Sequence, residues 1–219
     1  MGNMIAEKEK FIYKCMNRTA MYDCLFAIFL FQITDERWSK YFMEYFDFIK
    51  SNSIVTTDYK HSCYHEGKMK INHTEALLDN GMVIPHEYGH FVFDKILSPK
   101  ESDIIANLFK EEGTHFIKDE KYLIKLHQKY CPSITWHNFC WKRKYCPIMI
   151  TDGIGILGKY TSGISHNDDY PISHLASELF AEVLEAEVMG YNIPLTIYKE
   201  ECPNTYSYIR QKIYEVLNP

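Results

Sequence analysis

The sequence lacks any apolar run that is long enough to cross a membrane. Its longest run, Leu25–Phe31, falls far short of the ~20 residues that a bilayer requires. Several lysines precede this run, but no small-residue cleavage site follows it, so we expect a buried helix rather than a signal peptide. We therefore expect no membrane partner, and a protein that is cytoplasmic in the producing cell or delivered by a route without a signal peptide.

An excess of basic charge is also absent. The chain has 24 Lys and Arg against 29 Asp and Glu, a net charge of −5 at pH 7, whereas nucleic-acid-binding proteins usually present a basic face. We therefore expect no nucleic-acid partner. Apolar residues make up 46% of the chain, ample for a buried core. At roughly 150 residues per domain, 219 residues predict a single domain, 1–219.

The cysteines show no spacing typical of a disulfide framework or of a zinc knuckle. There are seven, scattered along the chain, and the odd number favours reduced thiols. Cys131, His137, Cys140 and Cys146 lie close enough in sequence to suggest a structural zinc site. No C-x-x-C pair is among them, so we favour free thiols.

Aromatic and apolar residues recur at helical spacing in the first part of the chain. Between residues 38 and 49 they lie three and four positions apart, which predicts the packing face of a helix with Thr34 as its N-cap. The members of this face are Trp38, Tyr41, Phe42, Tyr45, Phe46 and Ile49. We expect residues 1–55 to be mostly helical and residues 51–59 to include a loop.

A strand and a broken helix are predicted next. Met69–His73 alternates apolar with polar residues, which is typical of a half-exposed strand. Residues 75–97 have a helical pattern in two pieces, broken at Asn80–Gly81, and Ser98–Pro99 ends the second piece. Further helices are predicted over 101–145, from Ser173 to Met189 and from Pro203 onward, with a loop over 191–202.

One motif carries chemistry, His86-Glu87-Tyr88-Gly89-His90. On a helix, residues i and i+4 lie on one face, so both imidazoles can reach a single ion. Glu87 lies beside them, where it can take a proton from a water held by that ion. Zinc suits this set because imidazole nitrogen is a good ligand, and because Zn²⁺ lowers the pKa of bound water to about 7.

A catalytic zinc site needs a third protein ligand and an open position, and a later helix offers the ligand. Glu178, Glu182 and Glu185 line one face of that helix at steps of four and three. Glu178 is the predicted ligand, because a carboxylate among apolar residues gains most from a cation. His174, four residues earlier on the same face, is the alternative. We expect Glu185 and Glu187 to face solvent.

Together these segments resemble the gluzincin metalloproteases, and more narrowly the catalytic domain of anthrax toxin lethal factor and its relatives. The resemblance rests on HEYGH, on the Glu-Leu-Phe-Ala-Glu sequence that begins at Glu178, and on the final segment Pro203–Ile213. It covers residues 61–98 and 150–219. The segment Gly163–Tyr170 is also similar to part of the metallopeptidase domains found in phage structural proteins.

The resemblance implies an α+β, zincin-like fold that is mostly helical. In such a fold the strand predicted above lies at the edge of a small sheet, just before the HExxH helix, and pairs with extended substrate. The resemblance also implies a zinc ion held by His86, His90 and Glu178, with Glu182 orienting a zinc histidine. Because His90 and Glu178 are further apart than in the lethal-factor domain, residues 99–150 look like an insertion, followed by the ligand-helix part, 151–219.

In the lethal-factor family, a tyrosine shortly before the ligand helix donates a hydrogen bond to the tetrahedral oxyanion. Tyr170 is the nearest match, although it is one residue further from Glu178 than expected, and His166 is the alternative donor. The resemblance therefore implies a zinc-dependent endopeptidase acting on protein or peptide substrate, with Glu87 as general base. The alternative is a non-catalytic zincin-like module of phage or toxin origin, with a structural or binding role.

Overall fold

A computed structural model describes residues 2–18, 20–58, 61–112, 120–141 and 172–217. Within these ranges the chain is mostly helical and carries one three-stranded sheet. The predicted α+β class is confirmed. Of the helices described, none combines the length and the apolar character that a membrane span requires.

The helices and strands of the described ranges largely follow the predicted pattern. The helices are α1 (Gly2–Met16), α2 (Met21–Gln32), α3 (Glu36–Glu44), α4 (Phe46–Ser51), α5 (His73–Leu78), α6 (Val83–Lys95), α7 (Pro99–Glu112), α8 (Glu120–Tyr130), α9 (Trp136–Trp141), α10 (Ile172–Met189), α11 (Asn192–Glu201) and α12 (Pro203–Leu217). The strands are β1 (Ser53–Thr56), β2 (Cys63–His65) and β3 (Lys68–Asn72). The helices predicted within residues 1–55 and the broken helix pair α5 and α6 are confirmed, and the described parts of residues 99–150 are mostly helical. That residues 99–150 are an insertion stays a prediction.

The described residues fall into two compact units. The first contains α1 to α6 and the sheet, together with the end of α10, Val188–Gly190. The second contains α7 to α12 apart from that end. A single catalytic domain over the whole chain stays a prediction.

The aromatic face of α3 and α4 forms the core of the first unit, as its spacing predicted. Trp38, Tyr41, Phe42, Phe46 and Ile49 are all buried. The rings meet those of α2 edge to face, with centroids 4.9 Å apart for Phe29 and Phe42 and 4.7 Å apart for Phe26 and Phe46. Edge-to-face contacts of this kind add to the stabilisation that burial of the rings already provides.

The N-cap of α3 is Asp35, so the prediction of Thr34 was wrong. An Asp35 carboxylate oxygen accepts a hydrogen bond of 2.8 Å from the backbone N–H of Arg37. The same carboxylate also pairs with the Arg37 guanidinium at 2.7 Å, which lowers the pKa of Asp35. A charged cap interacts more strongly with the helix dipole than a neutral hydroxyl does, so the helix begins one residue later.

The predicted strand exists as β3, but it lies at the centre of the sheet, in the order β1-β3-β2. It runs parallel to β1 and antiparallel to β2. The prediction of an edge strand was therefore wrong, because part of the predicted loop over residues 51–59 forms β1. Only Ile54 and Val55 mark β1 as a strand in the sequence, and two β-branched residues are too short a signal for period-two alternation.

Helix α6 packs against β3 and β2 and begins after a left-handed turn. Asn80 and Gly81 have φ angles of 59° and 79°, a conformation that ends α5 and favours Asn and Gly. The Gly81 N–H donates to the Ala76 carbonyl oxygen at 2.7 Å. A Cβ atom at Gly81 would lie 2.7 Å from the Phe29 Cβ, so this turn has no room for a larger residue.

In the second unit, α7 packs against α12, and α11 packs against both α12 and α8. The Glu112 side chain accepts hydrogen bonds from the backbone N–H groups of Asn204 and Thr205 at the start of α12. Lys212 and Glu101 form an ion pair of 2.8 Å between the same two helices. The prediction of a loop over residues 191–202 was wrong, because α11 occupies most of this range.

We expect Gly81→Ala to destabilise the protein by about 2–5 kcal/mol, since the left-handed backbone costs roughly 1–2 kcal/mol and overpacking roughly 1–3 kcal/mol. The measurement is the free energy of unfolding in urea. Gly67→Ala is the matched control: Gly67 has a similar φ of 74°, but its added Cβ would meet only the Lys95 side chain, at 3.6 Å. Equal losses in the two variants would contradict the close approach to Phe29.

Candidate metal centre

Helix α6 carries its polar motif into the protein interior. Most of the helix is buried on every side, including the residues before and after the motif, Val83, Ile84 and Val92. His86 and Glu87 are each only 4% exposed. A helix that is apolar around most of its circumference is held inside the fold, so the ionisable groups of the motif are desolvated together with it.

The two motif imidazoles face each other. The Nε2 atoms of His86 and His90 are 3.3 Å apart, and the ring planes meet at 85°. Two nitrogens bound to one tetrahedral Zn²⁺ at about 2.0–2.1 Å are separated by about 3.3–3.4 Å. The spacing of the two nitrogens therefore fits that of two ligands to one zinc ion.

Helix α10 contributes the third potential ligand, Glu178. One ligand atom each from His86, His90 and Glu178 lies within 4.8 Å of the other two. This distance exceeds the tetrahedral spacing by at most about 1.4 Å, which a change in glutamate side-chain torsions can cover. The structure therefore brings together the three residues that the sequence predicted as ligands. Their donor set of two imidazoles and one carboxylate is the set that suits catalytic zinc.

The negative charge of the Glu87 carboxylate changes the pKa of a residue in the neighbouring strand, β2. Burial raises the pKa of the Cys63 thiol in β2, and the negative charge of Glu87 raises it further. Tyr64, the next residue in β2, donates its hydroxyl to Asp94 of α6 at 2.5 Å, and its ring lies edge to face with Phe91. Strand β2 therefore lies alongside α6, with the predicted general base near its first residue.

Tyr88, inside the motif, is anchored to α3 by a contact that sequence analysis missed. Its hydroxyl lies 2.6 Å from the Tyr41 hydroxyl, and its ring meets Phe42 edge to face. Burial raises the pKa of Tyr41 to about 12 and that of Tyr88 further, so both phenols stay neutral at physiological pH. The 47 residues between the two tyrosines explain the omission, because periodicity reports only local neighbours.

The acidic residues of α10 divide between two faces. Glu182 and Glu185 are 2% and 1% exposed, so the prediction that Glu185 faces solvent was wrong. Glu187 lies on the opposite face, where it accepts from the Tyr206 hydroxyl and pairs with Arg210, both at 3.1 Å. The helical spacing correctly predicted that Glu185 lies on the same face as Glu178 and Glu182. The error was the assumption that a run of charged residues faces solvent.

Several predicted site residues lie beyond the described ranges. Tyr170, His166 and Cys146 are among the residues that the structure does not describe, and the side chains of His174 and Cys140 are outside the description as well. The choice between Tyr170 and His166 as oxyanion donor therefore stays open. Cys131 is a buried thiol, and burial raises its pKa.

No protein-family model, no curated protein and no solved structure matches this chain. The resemblance to the gluzincins therefore rests on the sequence motifs given above.

We expect the purified protein to hold about one Zn²⁺ per chain, the number that one set of three ligands can bind. His86→Ala with His90→Ala should abolish zinc binding, and Glu178→Ala should weaken it strongly, because each change removes a ligand. The measurement is metal content by atomic spectroscopy after dialysis against a weak chelator.

Two control variants accompany this measurement. His65→Ala changes an exposed histidine on β2, and Glu187→Ala changes a carboxylate on the opposite face of α10. Both should keep full zinc content. Zinc retained in the double histidine variant would contradict the assignment, and zinc lost in His174→Ala but kept in Glu178→Ala would make His174 the third ligand.

Proposed function

We propose that this protein is a zinc-dependent endopeptidase. The observation that carries the proposal is the cluster of His86, His90 and Glu178, whose ligand atoms lie within 4.8 Å of one another, with the buried Glu87 next to the first histidine. Among the residues that the structure describes, this group offers three protein ligands, and three would leave one position of a zinc ion open, as catalysis requires. Structural zinc sites are instead closed by four protein ligands.

The chemistry divides between the ion and one carboxylate. Bound Zn²⁺ would polarise the scissile carbonyl and lower the pKa of a coordinated water. Glu87 takes the proton from the attacking water and then passes it to the leaving amine. Its burial at 4% exposure keeps bulk water away from this transfer, so the proton exchanged is that of the reacting water.

Extended substrate is proposed to pair with β2 rather than with the central strand β3. Within the described part of the chain, β2 is bonded to β3 on one side and has no strand on the other. It lies alongside α6, through the contacts of Tyr64 with Phe91 and Asp94. A peptide added to this edge would run next to the helix that carries Glu87. Cys63, at the start of β2, is close enough to that helix for the negative charge of Glu87 to raise its pKa.

We expect Glu87→Gln to abolish peptide cleavage while zinc content is kept, because the amide has nearly the same shape but cannot accept a proton. The measurement is mass-spectrometric profiling of a proteome-derived peptide library, paired with metal analysis of the same sample. Glu44→Gln is the matched control, since it makes the same change at an exposed residue of α3.

Undiminished cleavage by Glu87→Gln would contradict the role of general base. A zinc-loaded wild-type protein that cleaves nothing in the library would instead favour the non-catalytic zincin-like module.

We expect Tyr170→Phe to lower kcat about 10²–10³-fold with little change in KM, the usual loss when one oxyanion donor is removed. The change keeps the ring, so zinc content should be unaltered. The assay is steady-state kinetics on a peptide that the library experiment identifies. A larger loss in His166→Ala with normal activity in Tyr170→Phe would assign the donor to His166.

A further inference from the structure

Helix α11 supplies a buried hydroxyl to helix α10. Tyr198 is 0% exposed and donates its hydroxyl to Oε2 of Glu182, which is itself 2% exposed. A buried carboxylate requires hydrogen-bond donors, because it loses the water that would otherwise solvate its charge. The Tyr198 hydroxyl is therefore one of the groups that allow Glu182 to be buried.

Glu182 lies one helical turn after Glu178 and on the same face of α10. Residues four apart on a helix are surface neighbours, separated by about 6 Å along the axis. Charges separated by such a distance interact strongly when they are shielded from water. A carboxylate at Glu182 therefore contributes negative potential to a cation that Glu178 holds.

The Tyr198 hydroxyl is neutral, so its hydrogen bond holds the Glu182 carboxylate without placing a positive charge beside it. Glu182 also affects Cys202, one turn after Tyr198: burial raises the pKa of that thiol, and the charges of Glu112, Glu201 and Glu182 raise it further.

A second tyrosine–glutamate pair on the same helix has a different character. Glu187 accepts from the Tyr206 hydroxyl at 3.1 Å, but it also pairs with the Arg210 guanidinium at 3.1 Å, which neutralises it. Because Glu187 follows Glu178 by two and a half helical turns, it lies on the opposite face. This pair links α10 to α12 and carries no net charge.

We propose that Tyr198 is a positioning residue of the metal centre, which holds the Glu182 carboxylate beside Glu178 without placing a positive charge next to it. The inference rests on the proposed function, because it requires the metal to be bound at Glu178. Without the hydroxyl, the Glu182 carboxylate loses a fixed donor and turns toward other partners. Metal affinity then falls although none of the three ligands has changed.

The test compares Tyr198→Phe with Tyr206→Phe in the full chain. Each variant removes one hydroxyl that bonds a glutamate of α10 and keeps the ring. Zinc affinity is measured by competition with a chromogenic chelator, and the ligand field by the visible absorption of the Co²⁺-loaded protein. We expect zinc to bind about 10-fold more weakly to Tyr198→Phe, at the lower end of losses for groups that orient ligands, and the Co²⁺ bands to shift. Tyr206→Phe should match the wild type within about twofold in affinity.

Glu182→Gln removes the charge of Glu182 but keeps an acceptor for the Tyr198 hydrogen bond. It replaces Tyr198→Phe as the test if that variant does not fold. The glutamine oxygen still accepts from Tyr198, so only the charge is lost, and zinc should again bind about 10–100-fold more weakly. Combined with Glu182→Gln, Tyr198→Phe should add less than it does alone, since the two changes act through one group.

Equal zinc affinity in Tyr198→Phe, Tyr206→Phe and the wild type would overturn this inference and leave the zinc centre standing. An equal loss in both tyrosine variants would also overturn it, because that pattern reports general loosening of α10. A wild-type protein that binds no zinc at His86, His90 and Glu178 would overturn the proposed function as well.

Discussion

His86 and Glu87 on α6, and Glu182 and Glu185 on α10, carry ionisable groups into the protein interior. Moving such groups out of water is costly unless hydrogen bonds or a cation compensate. Other buried polar residues of the described ranges show this compensation: Asp23 pairs with Arg18 and Lys50, and Asn72 caps α5. Buried imidazoles and carboxylates are the donor set that a divalent cation stabilises best.

The scaffold around α6 fixes where the motif lies and how it is rotated. Gly81 lets the chain pass within van der Waals distance of Phe29, so the helix starts at a defined point. The Tyr41–Tyr88 hydroxyl pair and the contact of Tyr64 with Phe91 hold neighbouring positions on one side of the helix. With its rotation set by these contacts, α6 presents His86 and His90 with their nitrogens 3.3 Å apart. Such preorganisation lowers the cost of ordering the ligands.

Helix α10 uses the same side-chain chemistry for two purposes. On one face, the neutral Tyr198 hydroxyl holds Glu182, one turn from the proposed ligand Glu178. On the other, an arginine neutralises Glu187 and links α10 to α12. The difference lies in the partner rather than in the glutamate, since a guanidinium brings a positive charge to the carboxylate and a phenol does not.

The local sequence was sufficient for most helices and for the identity of the three proposed ligands. Periodicity reports which face of a helix is apolar, and the spacing of His86 and His90 reports that both lie on one face. The break at Asn80–Gly81 and the end of α10 at Gly190 were likewise predictable, because left-handed backbone positions select Gly and Asn. Helix α11 was missed because Tyr191 and Cys202 flank it without a side-chain cap signal.

Tertiary structure decided the features that depend on distant partners. Strand β1 has too few residues for a sequence signal, and its pairing with β3 moved the predicted edge strand to the centre of the sheet. The burial of Glu185 depends on what covers its helix face. The hydrogen bonds of Tyr88 with Tyr41 and of Glu182 with Tyr198 join residues that are remote in sequence. Local patterns fix the residues on one element, whereas the partner across the interior is set only when the elements pack.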